Sequence, residues 1–432
     1  MSQPNSNKGK GRPALVIGLA TAIVAAASII GWEKLSDGRI KDYNLVSDLM
    51  PDSAEEPEVG DDANLMTESQ GMDSLGVSQD DIHSLAIVGG SDSAEVQPVP
   101  PAPCRVGDMV VIEDYTTDHH GLRALRSSLA AGQLARIAVV GDSYIEGDIM
   151  TQDLRSQLQS RYGGSGVGYM NLHSEFPGFR RSVVQGGSGW KSYTATKRGK
   201  AAYMGLSEQY STPSGNAKAT YEGTSKVANC DSWTASRVLF CAPNGGTLMT
   251  RASSEGEWTT HTLPASEEVG VVETIAPTSR FELKISDPSV AMLGVWLDNE
   301  KGISVDCMSS RGIPGYSLAS ISPELCASMR RYVNYDLIIL EFGINAMSAK
   351  QSNYTTFTRN MVKVVDNLRN CYPGADIMII GVGDRGQKRG GAYHSMSTIG
   401  AMIDAQRKAA MESRCLFWDT REAMGGEDAI VE

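Results

Sequence analysis

The run Ala135-Arg-Ile-Ala-Val-Val-Gly-Asp-Ser-Tyr-Ile-Glu-Gly-Asp148 decides the fold. Its apolar stretch from Ile137 to Val140 reads as a buried strand, and that strand stops on Gly141-Asp142-Ser143. Beyond the turn Ile149, Met150, Leu154 and Leu158 recur at helical spacing, so a helix follows. A serine at the tip of a strand with a helix behind it is placed as a nucleophile. The free N–H groups of that helix start favour the negative charge that grows on an attacked acyl oxygen. They would supply half of an oxyanion hole. The same three residues also make an ordinary turn in which Asp142 or Ser143 is a helix cap. The rest of the chain has to decide between a site and a turn.

Two later segments bear on it. Asp336-Leu-Ile-Ile-Leu-Glu-Phe-Gly-Ile-Asn345 is a second apolar strand, ending in Gly-x-Asn, and an amphipathic helix follows from Phe357 to Leu368. The Asn345 amide could point at the same oxyanion. Between the two, the stretch from Ile303 to Leu318 supplies a strand, then a glycine turn at Gly315, then another helix. With these blocks in this order the sequence resembles the SGNH, or GDSL-type, hydrolases. The likeness covers roughly residues 104 to 172 and 300 to 432.

The resemblance implies a three-layer α/β/α, flavodoxin-like sheet and a set of roles. Ser143 would be the nucleophile, the backbone N–H groups of Ser143 and Gly315 oxyanion donors, and Asn345 the side-chain donor. Gly189, in Gln185-Gly-Gly-Ser-Gly-Trp190, is the alternative for the second block, and Asp142 stands next to the nucleophile. The nearest relatives it suggests are envelope-associated members that remove O-acetyl groups from peptidoglycan or other polysaccharides. No cofactor and no metal are implied.

A serine hydroxyl needs a base, normally a histidine held by a carboxylate. The family carries that pair as Asp-x-x-His after its last strand, here Cys415-Leu-Phe-Trp-Asp419, and residues 420–432 contain no histidine. The expectation is therefore that the 432-residue chain lacks the base-bearing loop and the closing helix. Asp80-x-x-His83 has the spacing but sits in a polar linker. His394 follows the strand Asp376-Ile-Met-Ile-Ile-Gly-Val-Gly383 on the edge where such sheets hold their sites, which makes it the histidine to test. His119 and His120 have no accompanying cluster at metal-ligand spacing, and His173 and His261 stand without informative neighbours.

Composition frames these residues. A length of 432 residues with 41% hydrophobic and 21% charged side chains supports a sizeable core and more than one domain. A net charge of -12 excludes nucleic acid as a partner, because counterion release needs a basic surface. Lys8, Lys10 and Arg12 precede the uncharged run Ala14–Ile30, which reads as a retained inner-membrane anchor over residues 1–34 with the basic side in the cytoplasm and the remainder in the periplasm. A cleaved signal is the alternative. Residues 35–103, rich in Asp, Glu, Ser and Pro, read as a flexible tether, within which Leu85–Val88 could form a docking strand.

From about 173 to 300 the β/α rhythm breaks into short alternating runs, Ser236–Cys241, Thr247–Arg251, Phe281–Ile285 and Ala291–Trp296, which predict an inserted β-sandwich. Related esterases carry a carbohydrate-binding-like insert here, and Trp190, Tyr193, Tyr203, Tyr210 and Trp258 are the aromatic candidates for stacking on sugar rings. Seven scattered cysteines do not form a disulfide framework, although Cys230 and Cys241 could close a hairpin in an oxidising compartment. The resulting domain plan is an anchor, a linker, a hydrolase domain over 104–172 and 301–432, and the insert. Its function is expected to be deacetylation of a cell-envelope glycan. An O-acetyltransferase on the same site and a catalytically silent glycan-binding protein are the alternatives.

Overall fold

The computed structural model describes residues 110–196 and 201–431. The anchor at Ala14–Ile30, the linker, Leu85–Val88, His83 and Cys104 lie outside the described residues. Among the described residues no helix is long and apolar enough to cross a membrane.

The chain opens with β1 (Glu113–Asp114), α1 (Arg123–Ala130), β2 (Leu134–Gly141) and α2 (Ile149–Tyr162). A β-rich excursion follows: β3 (Gly168–Met170), β4 (Val183–Thr194), β5 (Gln209–Gly223), β6 (Trp233–Ala242), β7 (Gly246–Arg251), β8 (Thr259–Leu263), β9 (Ser266–Thr278), β10 (Arg280–Ile285) and β11 (Ala291–Asp298). The β/α rhythm then resumes with β12 (Gly302–Ser309), α3 (Pro323–Arg330), β13 (Leu337–Glu341), α4 (Thr355–Cys371) and β14 (Asp376–Ile380). After a short hairpin of β15 (Gly386–Arg389) and β16 (Ala392–Ser395) come α5 (Ile399–Glu412), β17 (Leu416–Trp418) and α6 (Thr420–Met424).

The first sheet has the order β1-β17-β14-β13-β2-β12. All its neighbours are parallel except β1, which runs antiparallel to β17. Taken in chain order the five parallel strands are arranged 2-1-3-4-5, the flavodoxin-like arrangement, and its switch point falls at β2. Ligands of such sheets bind beyond the carboxyl ends of the strands at that point, which is where Gly141-Asp142-Ser143 emerges. Alternate residues of each strand feed opposite cores. Ile137, Val139, Ile339 and Ile380 pack with Leu125 of α1 and with Leu154 and Leu158 of α2. Ala138, Val140, Ile338 and Leu340 pack with Met329 of α3, Val364 of α4 and Met402 of α5. Helices therefore cover both faces, giving the expected α/β/α layers.

The excursion forms one nine-stranded hydrogen-bonded sheet, in which β8-β7-β10-β5-β11-β6-β9 are successive neighbours, β3 joins β11 and β4 joins β5. Its strands curl about a core of their own that holds Phe281, Leu283, Val238, Phe240 and Trp233. The other face of β6 and β11, with Leu239, Cys241, Leu293 and Trp296, is buried in the α/β core instead. That double burial is why β11 reads as an unbroken apolar run.

Cys230 and Cys241, which could have closed a hairpin, form no disulfide: both thiols are free and buried. Cys230 precedes β6 and Cys241 lies near its far end, and the eight strand steps of ~3.3 Å from Trp233 to Cys241 span roughly 26 Å. A disulfide needs Cα atoms within about 7 Å.

Candidate active site

Strand β2 delivers Gly141 into a position only glycine fits, since a Cβ there would stand 2.6 Å from the Glu341 carbonyl oxygen. The next residue is held from three directions. The Asp142 N–H donates to the Glu341 carbonyl at 3.2 Å. Its carboxylate accepts the Tyr144 N–H at 2.9 Å through Oδ1 and the Asn345 amide at 2.9 Å through Oδ2. Asp142 is fully buried under these contacts, while Ser143 is half exposed at the tip. The helix expected directly behind Ser143 begins only at Ile149, because residues 142–147 form turns first. The free N–H groups of α2 are therefore not those of the serine's own turn.

Asp148 closes that turn. It sits at 0% exposure in the left-handed region (φ 59°), where Asp and Asn are the non-glycine residues best tolerated. Its carboxylate takes a two-pronged bond from Arg155 at 2.8 and 2.9 Å, with Arg180 at 3.1 Å and Ser182 at 2.8 Å. Burial alone would raise its proton affinity, but Arg155 and Arg180 outweigh it and hold the carboxyl far below the usual range. The Ser143 loop is thus pinned at both ends.

The second and third blocks converge on the first. The Ser310 N–H donates to the Gly141 carbonyl at 2.8 Å, which draws the loop after β12 against the end of β2. That loop turns at Gly315 with φ 82°, and a Cβ there would meet the Phe342 ring at 2.6 Å. Asn345 lies on a short 3-10 turn, Ile344–Ala346, after β13. Its amide nitrogen donates to Asp142 and, at 3.3 Å, to the Ile313 carbonyl of the Gly315 loop. The side chain therefore ties all three blocks together. An amide has two N–H bonds to give, so service to an oxyanion would replace the longer bond, the one to Ile313. Gln406 of α5, fully buried, braces this edge by donating to the Phe342 carbonyl at 2.7 Å and accepting the Val382 N–H at 3.0 Å.

Three buried carboxylates at this edge are invisible to sequence patterning. Burial first, and then the adjacent Asp142 carboxylate, push the Glu341 carboxyl well above the usual glutamate range, so Glu341 keeps its proton while Asp142 accepts from Asn345 and Tyr144. Asp384, beyond β14, takes a bond from Arg421 at 3.2 Å. Glu208, just before β5, accepts from Ser317 beside the Gly315 turn. A glutamate closing an apolar strand, as in Leu337-Ile-Ile-Leu-Glu341, reads no differently from an exposed strand end.

The remaining candidates are distributed elsewhere. Gly189 makes the bulge of the β4–β5 ladder, between Ser188 and Trp190, and its backbone serves that sheet. His119 donates a ring N–H to the Asp114 carbonyl, and the N–H of Ala124 nearby reaches Asp376 at the start of β14. That places His119 and His120 at the opposite end of the sheet from Ser143. His261 bonds Thr250 on β7, and burial lowers its proton affinity. His394 pairs with Gln387 in the β15–β16 hairpin. Among the described residues no group of three or more His, Cys, Asp and Glu is placed to hold a metal ion.

Most of the insert's aromatic side chains already have partners. Tyr193 stacks on Tyr210 at 4.8 Å, and Tyr203 meets Tyr210 edge-on at 5.4 Å. Trp190 donates to the Lys218 carbonyl at 2.9 Å, and Trp258 lies under Arg251 and Lys284. A cavity of about 60 Å³ opens where the two sheets meet, lined by Glu146, Cys307 and Ser309 of the α/β part and by Tyr169, Gln185 and Gln209 of the insert.

No protein-family model and no curated protein matches the chain. Among solved structures it is similar to one titled "Peptidoglycan O-acetylesterase in action, 5 min", at 21% identity and a TM-score of 0.59, over 73% of this chain and 87% of that one. The chain has the fold of that structure. Two more distant likenesses are to a family two carbohydrate esterase from Cellvibrio japonicus (11% identity, TM-score 0.22, 55% of this chain and 89% of that one) and to the family 32 CBM from C. perfringens NanJ (6%, 0.20, 30% and 98%). Neither adds to the argument.

Proposed function

We propose that this chain is a serine ester hydrolase of the SGNH type that removes O-acetyl groups from a cell-envelope glycan such as peptidoglycan. The observation that carries the reading is the convergence of Ser143, the Gly315 loop and Asn345 at the switch point of a flavodoxin-like sheet, tied together through Asp142, Ser310 and Ile313. The fold shared with a peptidoglycan O-acetylesterase and the small polar cavity beside the loop support it.

In this reading the Ser143 hydroxyl attacks the acetyl carbon while a base takes its proton, and the carbonyl oxygen becomes an oxyanion. The glycan alkoxide then leaves with a proton. Water attacks the acetyl-serine and releases acetate. Asn345 gives its amide to the oxyanion, and Asp142 keeps that amide oriented. His394 is the first histidine to substitute in search of the base. The anchor reading at Ala14–Ile30 completes the proposal: a protein tethered in the inner membrane and facing the periplasm, where the glycan is.

The test is labelling with a serine-reactive phosphonate together with acetate release from O-acetylated peptidoglycan. Ser143→Ala should abolish both. Asn345→Ala should still label, with turnover reduced about 100-fold or more, the usual cost of one oxyanion donor. Normal turnover by Ser143→Ala would overturn the assignment.

A further inference from the structure

Glu208 combines three unfavourable features at one position. Its backbone sits in the left-handed region at φ 53°, which glutamate rarely adopts. Its side chain is buried at 1% exposure, and one carboxylate oxygen, Oε2, has no hydrogen-bond partner. Burial pushes its carboxyl up to about 7, against the pull of the Ser317 and Ser310 hydroxyls. Strain and an orphaned buried polar atom persist only where something else requires them, and such positions cluster at functional sites.

What Glu208 holds supplies the reason. Its other oxygen accepts the hydroxyl of Ser317, two residues beyond Gly315. Ser310, at the near end of the same loop, is fixed by its N–H to the Gly141 carbonyl. Glu208 therefore holds the far end of the loop that carries Gly315 while β2 holds the near one. It is itself fixed from the insert side, where its N–H donates to the Gly205 carbonyl at 2.9 Å and its carbonyl accepts from Ala195 at 3.1 Å. Gln209, its neighbour, lines the cavity together with Ser309.

We propose that Glu208 is a positioning residue of the acyl-transfer site, through which the inserted sheet sets the placement of the Gly315 oxyanion donor. The inference rests on the esterase reading above for its kinetic consequences, but not for its structural ones. A donor displaced by a fraction of an ångström is aimed away from the oxyanion while substrate binding elsewhere is kept, so the effect falls on turnover.

The experiment compares Glu208→Ala, Glu208→Gln and Ser317→Ala with the unsubstituted chain. For acetate release, Glu208→Ala should lower kcat roughly tenfold or more with KM changed less than about twofold. Ser317→Ala should move kcat the same way. Glu208→Gln, which keeps the acceptor and the shape, should recover most of the loss. Amide hydrogen exchange across residues 309–318 supplies a second readout that needs no activity: protection should fall there in Glu208→Ala and Ser317→Ala and return in Glu208→Gln. Unchanged exchange in both alanine variants would overturn the proposal. So would a KM effect without a kcat effect, or a glutamine variant no better than alanine. If the unsubstituted chain releases no acetate, the esterase reading fails on its own and the exchange data still decide the role of Glu208.

Discussion

The loop that presents Ser143 depends on a buried charge, and replacing Asp148 with asparagine exposes that dependence quantitatively. Asparagine keeps the shape and tolerates the left-handed backbone at this residue, so the change is in charge alone. Arg155 is fully buried, and Asp148 is the carboxylate that neutralises it, with the Val305 carbonyl at 2.6 Å as its neutral partner. Removing one member of a buried pair strands the other, which costs about 3–5 kcal/mol. That is a large share of the ~5–15 kcal/mol that a domain has in total. At about 2–4 °C per kcal/mol, the melting temperature should fall by roughly 10 °C.

The pH dependence gives the argument its sign. The folded-state affinity of Asp148 for a proton is depressed, so its stabilisation is fully present above the unfolded value near ~3.9 and is lost as pH falls toward the folded value. The difference between the two proteins, measured by urea unfolding, should be largest at neutral pH and shrink below about pH 4. The double variant Asp148→Asn/Arg155→Met, which removes both charges, should be less destabilised than the sum of the singles. Phosphonate labelling of Ser143 should slow in the single variant as the turn loosens. A loss under about 1 kcal/mol at pH 7, or one that does not change with pH, would refute the reasoning.

Two further outcomes follow from named contacts. Gly315→Ala places a methyl group in the left-handed region and against the Phe342 ring at 2.6 Å, so it should cost about 1–3 kcal/mol in urea unfolding and slow labelling of Ser143. Glu208→Gln should flatten the fall in stability between pH 4.5 and about 7. The native carboxyl holds its proton over that interval and the unfolded one does not, so its contribution is complete below the unfolded value and lost as pH rises through the folded one. Relative to the unsubstituted chain, the glutamine variant should be about 3 kcal/mol more stable at pH 8 than at pH 4, and parallel curves would contradict the assignment.

Strands and blocks were legible in the sequence because their signal is local. Ile137–Val140, Leu337–Leu340 and Ile377–Ile380 are apolar runs with turn residues after them, and each becomes a central parallel strand. The helix phase from Ile149 to Leu158 is real, but its N-terminus does not stand beside Ser143, since the turns from Asp142 to Gly147 intervene and depend on Asp148 being neutralised by Arg155 and Arg180, which lie 7 and 32 residues downstream. Glu341 and Glu208 were not legible for the same kind of reason. A buried glutamate gives no periodic pattern, and its function arises only from the pairing of β13 with β2 or from the meeting of the insert with the Gly315 loop. The spacing of Cys230 and Cys241 was likewise uninformative, because it says nothing of a strand lying between the two cysteines.

The insert is better understood as part of the site's frame than as a module attached to it. It is spliced between β2 and β12, the switch-point strand and its outer neighbour, where an open edge would otherwise expose unpaired backbone groups. Asp306 of β12 closes that edge, taking the Tyr169 N–H of β3 at 3.0 Å through Oδ1. Its Oδ2 takes Trp296 of β11 at 2.9 Å and the Tyr335 hydroxyl at 2.7 Å. On the far side of the same junction, Arg136 of β2 pairs with Asp298 of β11 at 2.5 Å, both buried. Charged groups this deep must stay paired, so parting the two sheets would leave Asp298 only its partner Arg237 and leave Arg136 only the more distant Asp306, 3.9 Å away. The loop carrying Gly315 leaves directly from β12, three residues after Asp306. Its register against Ser143 is therefore inherited from the insert at the root through Asp306 and corrected at the tip through Glu208.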